Sequence, residues 1–267
     1  DAHINVHETG AVAACGRTVL PTDDSDGFLT PEAAERVWRF QTSTGRHMTR
    51  PGCVYISNTT ELGGVWDLER FDAICDWADS HDLPVFLDGA RLGSALTSPA
   101  AGGLTLEHIA RRCGAFYIGG TKNGMLFGEA MVISNPRLRE SFPFLQKERG
   151  GLMAKGRLLG VQFEAAFEAP AGGDEALYWR LARGANECAL RLRAGLVELG
   201  FKPYGDSASN QQFFVVTPAQ RDALEAACGC ETFYELSDEQ VVVRFVCSWA
   251  TGEKDVDELI ALAGTLA

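Results

Sequence analysis

One lysine, Lys122, stands among glycines in Gly119-Gly120-Thr121-Lys122-Asn123-Gly124, directly after the short apolar run Ala115-Phe116-Tyr117-Ile118. A strand that ends in small residues and then presents a lysine puts a flexible amine at the carboxyl end of a sheet, where open α/β folds seat their ligands. That is the place for a Schiff-base lysine. An amine in a desolvated pocket beside other cations loses proton affinity and becomes a usable nucleophile and base. A second apolar run, Val85-Phe86-Leu87, ends in Asp88 and continues into Gly89-Ala90-Arg91. The 34 residues from Asp88 to Lys122 leave room for one helix and one strand, so the two become strand-end neighbours on one sheet. Asp88 also reads as the cap of the following helix, and the two roles coexist. Arg244, between Val243 and Phe245 in an apolar strand, must be paired, because an unpaired buried charge is very costly. Its planar fork suits a carboxylate, that of a ligand or that of a neighbouring acid. A Walker phosphate loop is excluded at Lys122, since the glycine and Lys-Ser/Thr spacing is absent.

The elements that position these residues follow from periodicity and punctuation. Residues 53–57, 85–88, 115–118 and 129–134 read as strands of a larger sheet, the last an antiparallel or edge strand. Residues 17–21 read as a further strand and 23–27 as a turn. Thr30-Pro31-Glu32 is an N-cap, an N1 proline and a first-turn acid ahead of a helix over 33–40. Helices are also expected over 11–14, 68–82, 105–112, 138–148 and 152–168. The Pro- and Gly-rich stretch 169–174 is the best linker. Beyond it lie a long helix over 175–199, strands over 211–216 and 240–248 with a third at 232–236, and helices over 218–227 and 253–266. The division is a large α/β domain at 1–169 and a small α+β domain at 170–267.

Composition removes several classes of function. Hydrophobic residues make up 46% and charged residues 22%, an ordinary balance for a globular chain. With 36 acids against 24 bases, the net charge of −12 argues against a nucleic-acid backbone or an anionic membrane as main partner. No run reaches the roughly 18 apolar residues of a membrane span, and no signal peptide is recognisable, which leaves the cytoplasm as the expectation. The cysteines at 15, 53, 75, 113, 188, 228, 230 and 247 have no zinc-ligand spacing and are expected as buried, reduced small hydrophobes.

Four segments together resemble the threonine aldolase / aromatic amino acid β-eliminating lyase family, pyridoxal-phosphate (PLP) enzymes of fold type I, the aspartate aminotransferase fold. They are Ala2-His3-Ile4 with Glu8 and Gly10, Leu87-Asp88-Gly89-Ala90-Arg91-Leu92, Gly119-Gly120-Thr121-Lys122-Asn123-Gly124, and Val243-Arg244-Phe245-Val246-Cys247-Ser248-Trp249. The resemblance implies a mostly parallel large-domain sheet with PLP carried by Lys122 as a Schiff base. It implies that Asp88 pairs with the ring nitrogen, which keeps the ring an electron sink, and that His3 stacks on the ring. It has Arg91 face the cofactor and, with Arg244, hold the substrate carboxylate, and it gives Lys155 to the cofactor phosphate on a loose positional match. His7, Lys147 and Arg157 are left to structure or solvent.

The implied reaction is Cα–Cβ cleavage of a β-hydroxy-α-amino acid, L-threonine or L-allo-threonine, to glycine and acetaldehyde. Better-known threonine aldolases carry a histidine in the loop after the first large-sheet strand, and Thr60 stands there in this chain. The proton acceptor for the β-hydroxyl is therefore open among His3, Glu8, Glu61 and a water held by Thr60. Two alternatives stand beside this reading: β-elimination with the same residues, and a catalytically silent fragment or oligomerisation partner. The latter comes from the first residue, Asp1: in relatives a longer segment with a Gly-Thr phosphate-binding turn precedes the matching point, and the chain reads as a fragment or processed product. Family members form homodimers or homotetramers, so a homo-oligomer acting on a small amino acid is the expected assembly.

Overall fold

The computed structural model describes residues 2–23, 26–173 and 175–266. Two single turns, α1 (His3–Val6) and α2 (Ala11–Ala14), precede α3 (Pro31–Thr42). The α3 start is fixed as its sequence dictates, with the Thr30 hydroxyl accepting from the Ala33 N–H at 3.2 Å and Pro31 in the first turn. The large sheet is built from β1 (Val54–Ser57), α4 (Leu68–Ser80), β2 (Val85–Asp88), α5 (Leu92–Thr97), α6 (Leu106–Arg112), β3 (Ala115–Gly119) and β4 (Glu129–Ile133). Strand order is β1-β2-β3-β4, with the first three parallel and β4 antiparallel to β3. Helices cross between the parallel strands, as parallel pairing requires.

Alternation divides the two faces of this sheet. Val54, Ile56, Val85, Leu87, Phe116 and Ile118 face the helices and are buried with Phe71, Ile74 and Ile109. The other face carries Tyr55, Ser57, Phe86, Asp88, Tyr117 and, through the antiparallel register, Met131 and Glu129. Ser57, Asp88, Tyr117 and Met131 form one row across the four strands.

Next come α7 (Pro136–Glu148), α8 (Arg157–Phe167) and α9 (Leu177–Glu198). The second layer consists of β5 (Lys202–Pro203), β6 (Gln211–Val216), α10 (Pro218–Cys228), β7 (Glu231–Ser237), β8 (Gln240–Val246) and α11 (Glu253–Ala263), with an antiparallel sheet in the order β5-β6-β8-β7. Its core holds Leu192, Leu196, Phe214, Val243, Phe245 and Val256. Helix α9 serves both cores: Tyr178 belongs to the first, and Cys188, Ala189, Leu192 and Leu196 to the second.

Several expectations need correction. Residues 17–21 are not a strand, because nothing pairs with them among the described residues, and extended backbone without a partner makes no ladder. The expected turn at 23–27 and linker at 169–174 fall partly outside the described residues. The helix expected from 152 begins only at Arg157, since 151–153 are irregular and 154–156 form a turn ahead of it. Cys15, Cys53 and Cys228 are exposed rather than buried, while Cys75, Cys113, Cys188, Cys230 and Cys247 are buried.

Candidate active site

The carboxyl ends of β1, β2 and β3 open into three loops, 58–64, 89–91 and 120–124, as the crevice rule for parallel sheets requires. They surround a cavity of about 410 Å³ lined by His3, Glu8, Thr60, Glu61, Asp88, Arg91 and Lys122, with Tyr117, Glu129 and Gln211 completing the wall. Small-molecule sites commonly have this size. The β2 and β3 loops interlock. A Cβ built on Gly89 would lie 1.8 Å from the Tyr117 carbonyl oxygen, and one on Gly119 2.3 Å from that of Ala90. Only glycine permits this approach, and it brings Asp88 and Lys122 to one cavity.

Asp88 is 9% exposed. Its Oδ2 accepts from the Tyr55 hydroxyl at 2.5 Å and its Oδ1 from the Ala90 N–H at 3.0 Å. It thus caps the following turn and still presents a carboxylate to the cavity. Tyr55 and Tyr117 flank it from the neighbouring strands, and burial first, then the Asp88 charge, pushes both phenols up. Lys122 rides on a single turn that α9 clamps: the Tyr178 hydroxyl donates to the Gly119 carbonyl at 3.0 Å, and Asn123 Nδ2 donates to the Tyr178 carbonyl at 2.8 Å. Its amine has no hydrogen bond or ion pair among the described residues. Burial, then the Arg91 charge, holds Lys122 below the ordinary lysine range, opposed by Asp88, Glu61 and Glu129.

Arg91 likewise makes no ion pair among the described residues. Burial, then Arg244, lowers it to about 10. Arg244 does not line the cavity directly. Its Nη2 pairs with Glu231, its Nη1 donates to Gln211 Oε1 at 3.2 Å, and its Nε is buried without a partner among the described residues. Gln211 in turn reaches Thr59 Oγ1 at 3.5 Å, so it carries Arg244 to the cavity wall. At the rim, His3 Nδ1 lies 2.5 Å from Glu8 Oε1, and the His3 N–H donates to Glu61 Oε1 at 3.0 Å. The Thr60 hydroxyl accepts from the Gly64 N–H at 3.0 Å and serves the loop. Lys155 lies in the exposed turn before α8 and does not line the cavity, so the loose match at that position receives no support from its placement.

A family description, Beta-eliminating lyase, matches residues 1–217 of the sequence. The chain belongs to that family. It is 30% identical over 264 residues to a low specificity L-threonine aldolase of Pseudomonas aeruginosa, covering 97% of this chain and 72% of that protein. A second protein of the same name, from Pseudomonas sp. (strain NCIMB 10558), is 29% identical over 265 residues, with the same coverage. A solved threonine aldolase of Leishmania major superposes with a TM-score of 0.93 at 39% identity, covering 100% of this chain and 75% of that one. A Thermus thermophilus aspartate aminotransferase shares the fold alone, with a TM-score of 0.65 at 15% identity over 96% of this chain and 66% of that one. The β-eliminating lyases are PLP-dependent, and the present member is a PLP-dependent lyase of fold type I.

For this lyase, sequence reasoning had passed over Tyr55, Ser57, Tyr117, Glu129 and Gln211. Tyr55, Ser57 and Tyr117 share Asp88's parity within their strands, a signal visible once the register is known. Glu129 opens the strand opposite Gly119, and nothing local distinguishes it from a solvated acid. Among the described residues no group of three or more His, Cys, Asp or Glu side chains is arranged to hold a metal, and no helix is long and apolar enough to cross a membrane.

Proposed function

We propose that this site cleaves the Cα–Cβ bond of a β-hydroxy-α-amino acid, L-threonine or L-allo-threonine, to glycine and acetaldehyde. The observation that carries the reading is one cavity holding a lysine amine and a guanidinium that are both unpaired among the described residues, with a buried carboxylate braced by a phenol. These groups fit PLP by their chemistry. Lys122 Nζ would hold its aldehyde, Asp88 would face its ring nitrogen, and His3 would cover the ring from the rim. When bound, PLP supplies the sink for the electron pair left on Cα.

The chain's own residues account for the rest. Arg91, with no ion pair among the described residues, is the first landing point for the substrate carboxylate, and Arg244 supports the grip through Gln211, which it holds at the cavity wall. With Nδ1 turned to Glu8, His3 keeps Nε2 as its free nitrogen and takes the β-hydroxyl proton there. Glu8 steadies the imidazolium that results, as a carboxylate behind a general-base histidine does. Glu61 holds the His3 backbone, and the Thr60 hydroxyl is spent on its loop, so both recede as proton acceptors.

A homo-oligomer accompanies this reading. Phe144 on α7 is 77% exposed, and Leu145 on α7, Leu152 and Met153 between the helices, and Leu158 and Val161 on α8 are exposed as well. Surfaces of this kind commonly mark contacts between chains.

The test is a visible absorbance band on adding PLP that Lys122→Ala abolishes, followed by product analysis with L-threonine. Glycine with acetaldehyde supports cleavage. Ammonia with a keto acid would assign the site to β-elimination, and no band with no product would remove the enzymatic reading for this chain.

A further inference from the structure

Glu129 is the charged group of the cavity that the mechanism above leaves without a task. It opens β4 at the register position opposite Gly119, on the same sheet face as Asp88 and Tyr117. From there its carboxylate reaches across to the turn that carries the lysine. Oε2 accepts from the Gly120 N–H at 2.7 Å, and Oε1 accepts from the Thr121 hydroxyl at 3.3 Å. These are the two residues immediately before Lys122. The same turn is closed from within, Gly120 O accepting from the Asn123 and Met125 N–H groups at 2.9 and 3.1 Å. A Cβ on Gly120 would lie 2.5 Å from the Gly128 carbonyl, so the backbone just ahead of β4 is also pressed against the turn.

We propose that Glu129 is a positioning residue for Lys122: its carboxylate fixes the 120–121 backbone that aims the amine and supplies a negative charge that favours the amine's protonated form. The second half of that statement depends on which charges face Lys122. Arg91, from the loop after β2, disfavours the ammonium; Asp88 from β2, Glu61 from the loop after β1, and Glu129 from β4 favour it. Asp88 is engaged by Tyr55 and Ala90, and Glu61 by the His3 backbone. Glu129 is the acid attached to the lysine's own turn. It is held partly out of water, which pushes its carboxyl up, while the Gly120 N–H, the Thr121 contact and Lys122 oppose that rise. Tyr117 and Tyr178 are the phenols that feel its charge. The two duties are separable, because a glutamine keeps a carbonyl oxygen for the Gly120 N–H and lacks the charge.

The proposal rests on Lys122 being the reactive amine, so its test has one arm independent of PLP. The sequence contains five lysines, and the Lys122 peptide can be followed by mass spectrometry after brief labelling with acetic anhydride across pH. In the full chain without PLP, Glu129→Gln should lower the pH midpoint of Lys122 labelling relative to wild type, because one of the acids that favour the ammonium is removed. Glu129→Asp should lie near wild type. The second arm adds PLP and reads the pH midpoint of the Lys122-dependent visible band, which should fall in the same direction for Glu129→Gln. Glu129→Ala should in addition weaken PLP retention by loosening the turn. An unchanged labelling midpoint in Glu129→Gln would overturn the electrostatic role, and equal PLP retention in Glu129→Ala would overturn the positioning role. If no visible band forms even in wild type, the PLP reading fails separately; the labelling arm still decides the electrostatic role, and hydrogen exchange at the Gly120 amide decides the positioning role, with exchange no faster in Glu129→Ala than in wild type overturning it.

Discussion

Replacing Gly89 by alanine tests the interlock that sets Asp88 beside Lys122. The added Cβ would stand 1.8 Å from the Tyr117 carbonyl oxygen, against the 3.4 Å at which ordinary contact begins. The obstacle is backbone, so no rotamer change relieves it, and β2 and β3 must part by about 1.6 Å at their carboxyl ends. That displacement threatens two bonds to the Gly89 carbonyl, from Gly119 N at 2.8 Å and Leu92 N at 3.0 Å. Overpacking costs about 1–3 kcal/mol and each of the two lost bonds about 1 kcal/mol, so a destabilisation of about 3–5 kcal/mol is expected. The loss in kcat/KM should be larger in proportion, about 100-fold or more, because a 1 Å misplacement of reacting groups already costs about that much. Urea denaturation monitored by circular dichroism and steady-state cleavage of L-threonine measure the two effects. Gly160→Ala is the control: it lies in α8 with no atom within 4 Å of the new Cβ, and should stabilise by about 0.5–1 kcal/mol. If Gly89→Ala unfolds at the wild-type urea concentration and keeps full activity, the loops are not interlocked as described.

Three further outcomes follow from the same geometry. Arg244→Lys loses the fork that spans Glu231 and Gln211, so KM for the amino acid should rise about 10- to 100-fold with kcat changed less; an unchanged KM would leave Arg244 a purely structural ion pair. Lys122→Met removes an amine whose proton affinity the fold depresses. That depression penalises the folded state fully below the lowered value, and the penalty fades as pH rises towards the ordinary 10.5, so the mutant should be the more stable at pH 7 and lose that advantage by about pH 10.5 in paired urea titrations. Thr217→Ala breaks the capping box of α10, far from the cavity, and should cost about 1 kcal/mol in thermal or urea unfolding while kcat/KM stays at the wild-type value.

The legible parts of this molecule are those where punctuation and chemistry coincide. Asp88 and Lys122 each follow an apolar run, with Gly89 next to the first and Gly120 and Gly124 two residues either side of the second, so both strand ends and both reactive groups could be read locally. The first-turn proline at Pro31 and the Thr30 cap fixed α3 in the same way. Tyr55, Tyr117 and Glu129 were not legible, because their importance lies in which face of the sheet they occupy and what stands across from them. Register is a property of pairs of strands, and a slip of one residue would exchange Tyr117 for Phe116. Arg17 to Pro21 failed for a related reason: the composition suits an extended chain, and only a partner makes that a strand. Arg244 fell between these cases. Its need for a counter-charge was readable, whereas the identity of Glu231 as that charge depended on β7 pairing with β8.

Helix α9 has a consequence for how the molecule comes apart. Its first turn is wedged into one core through Tyr178, and its later turns form a wall of the other through Leu192 and Leu196. Midway, Asn186 is tied to Ser94 and Thr97 of α5, and Ser94 in turn accepts from the Asn210 N–H. Melting either layer strips the shared rod of half its support and uncovers apolar surface on the other. Heat or urea should therefore take both layers together, in one cooperative transition seen identically by tryptophans of the first layer and by the circular dichroism of the whole.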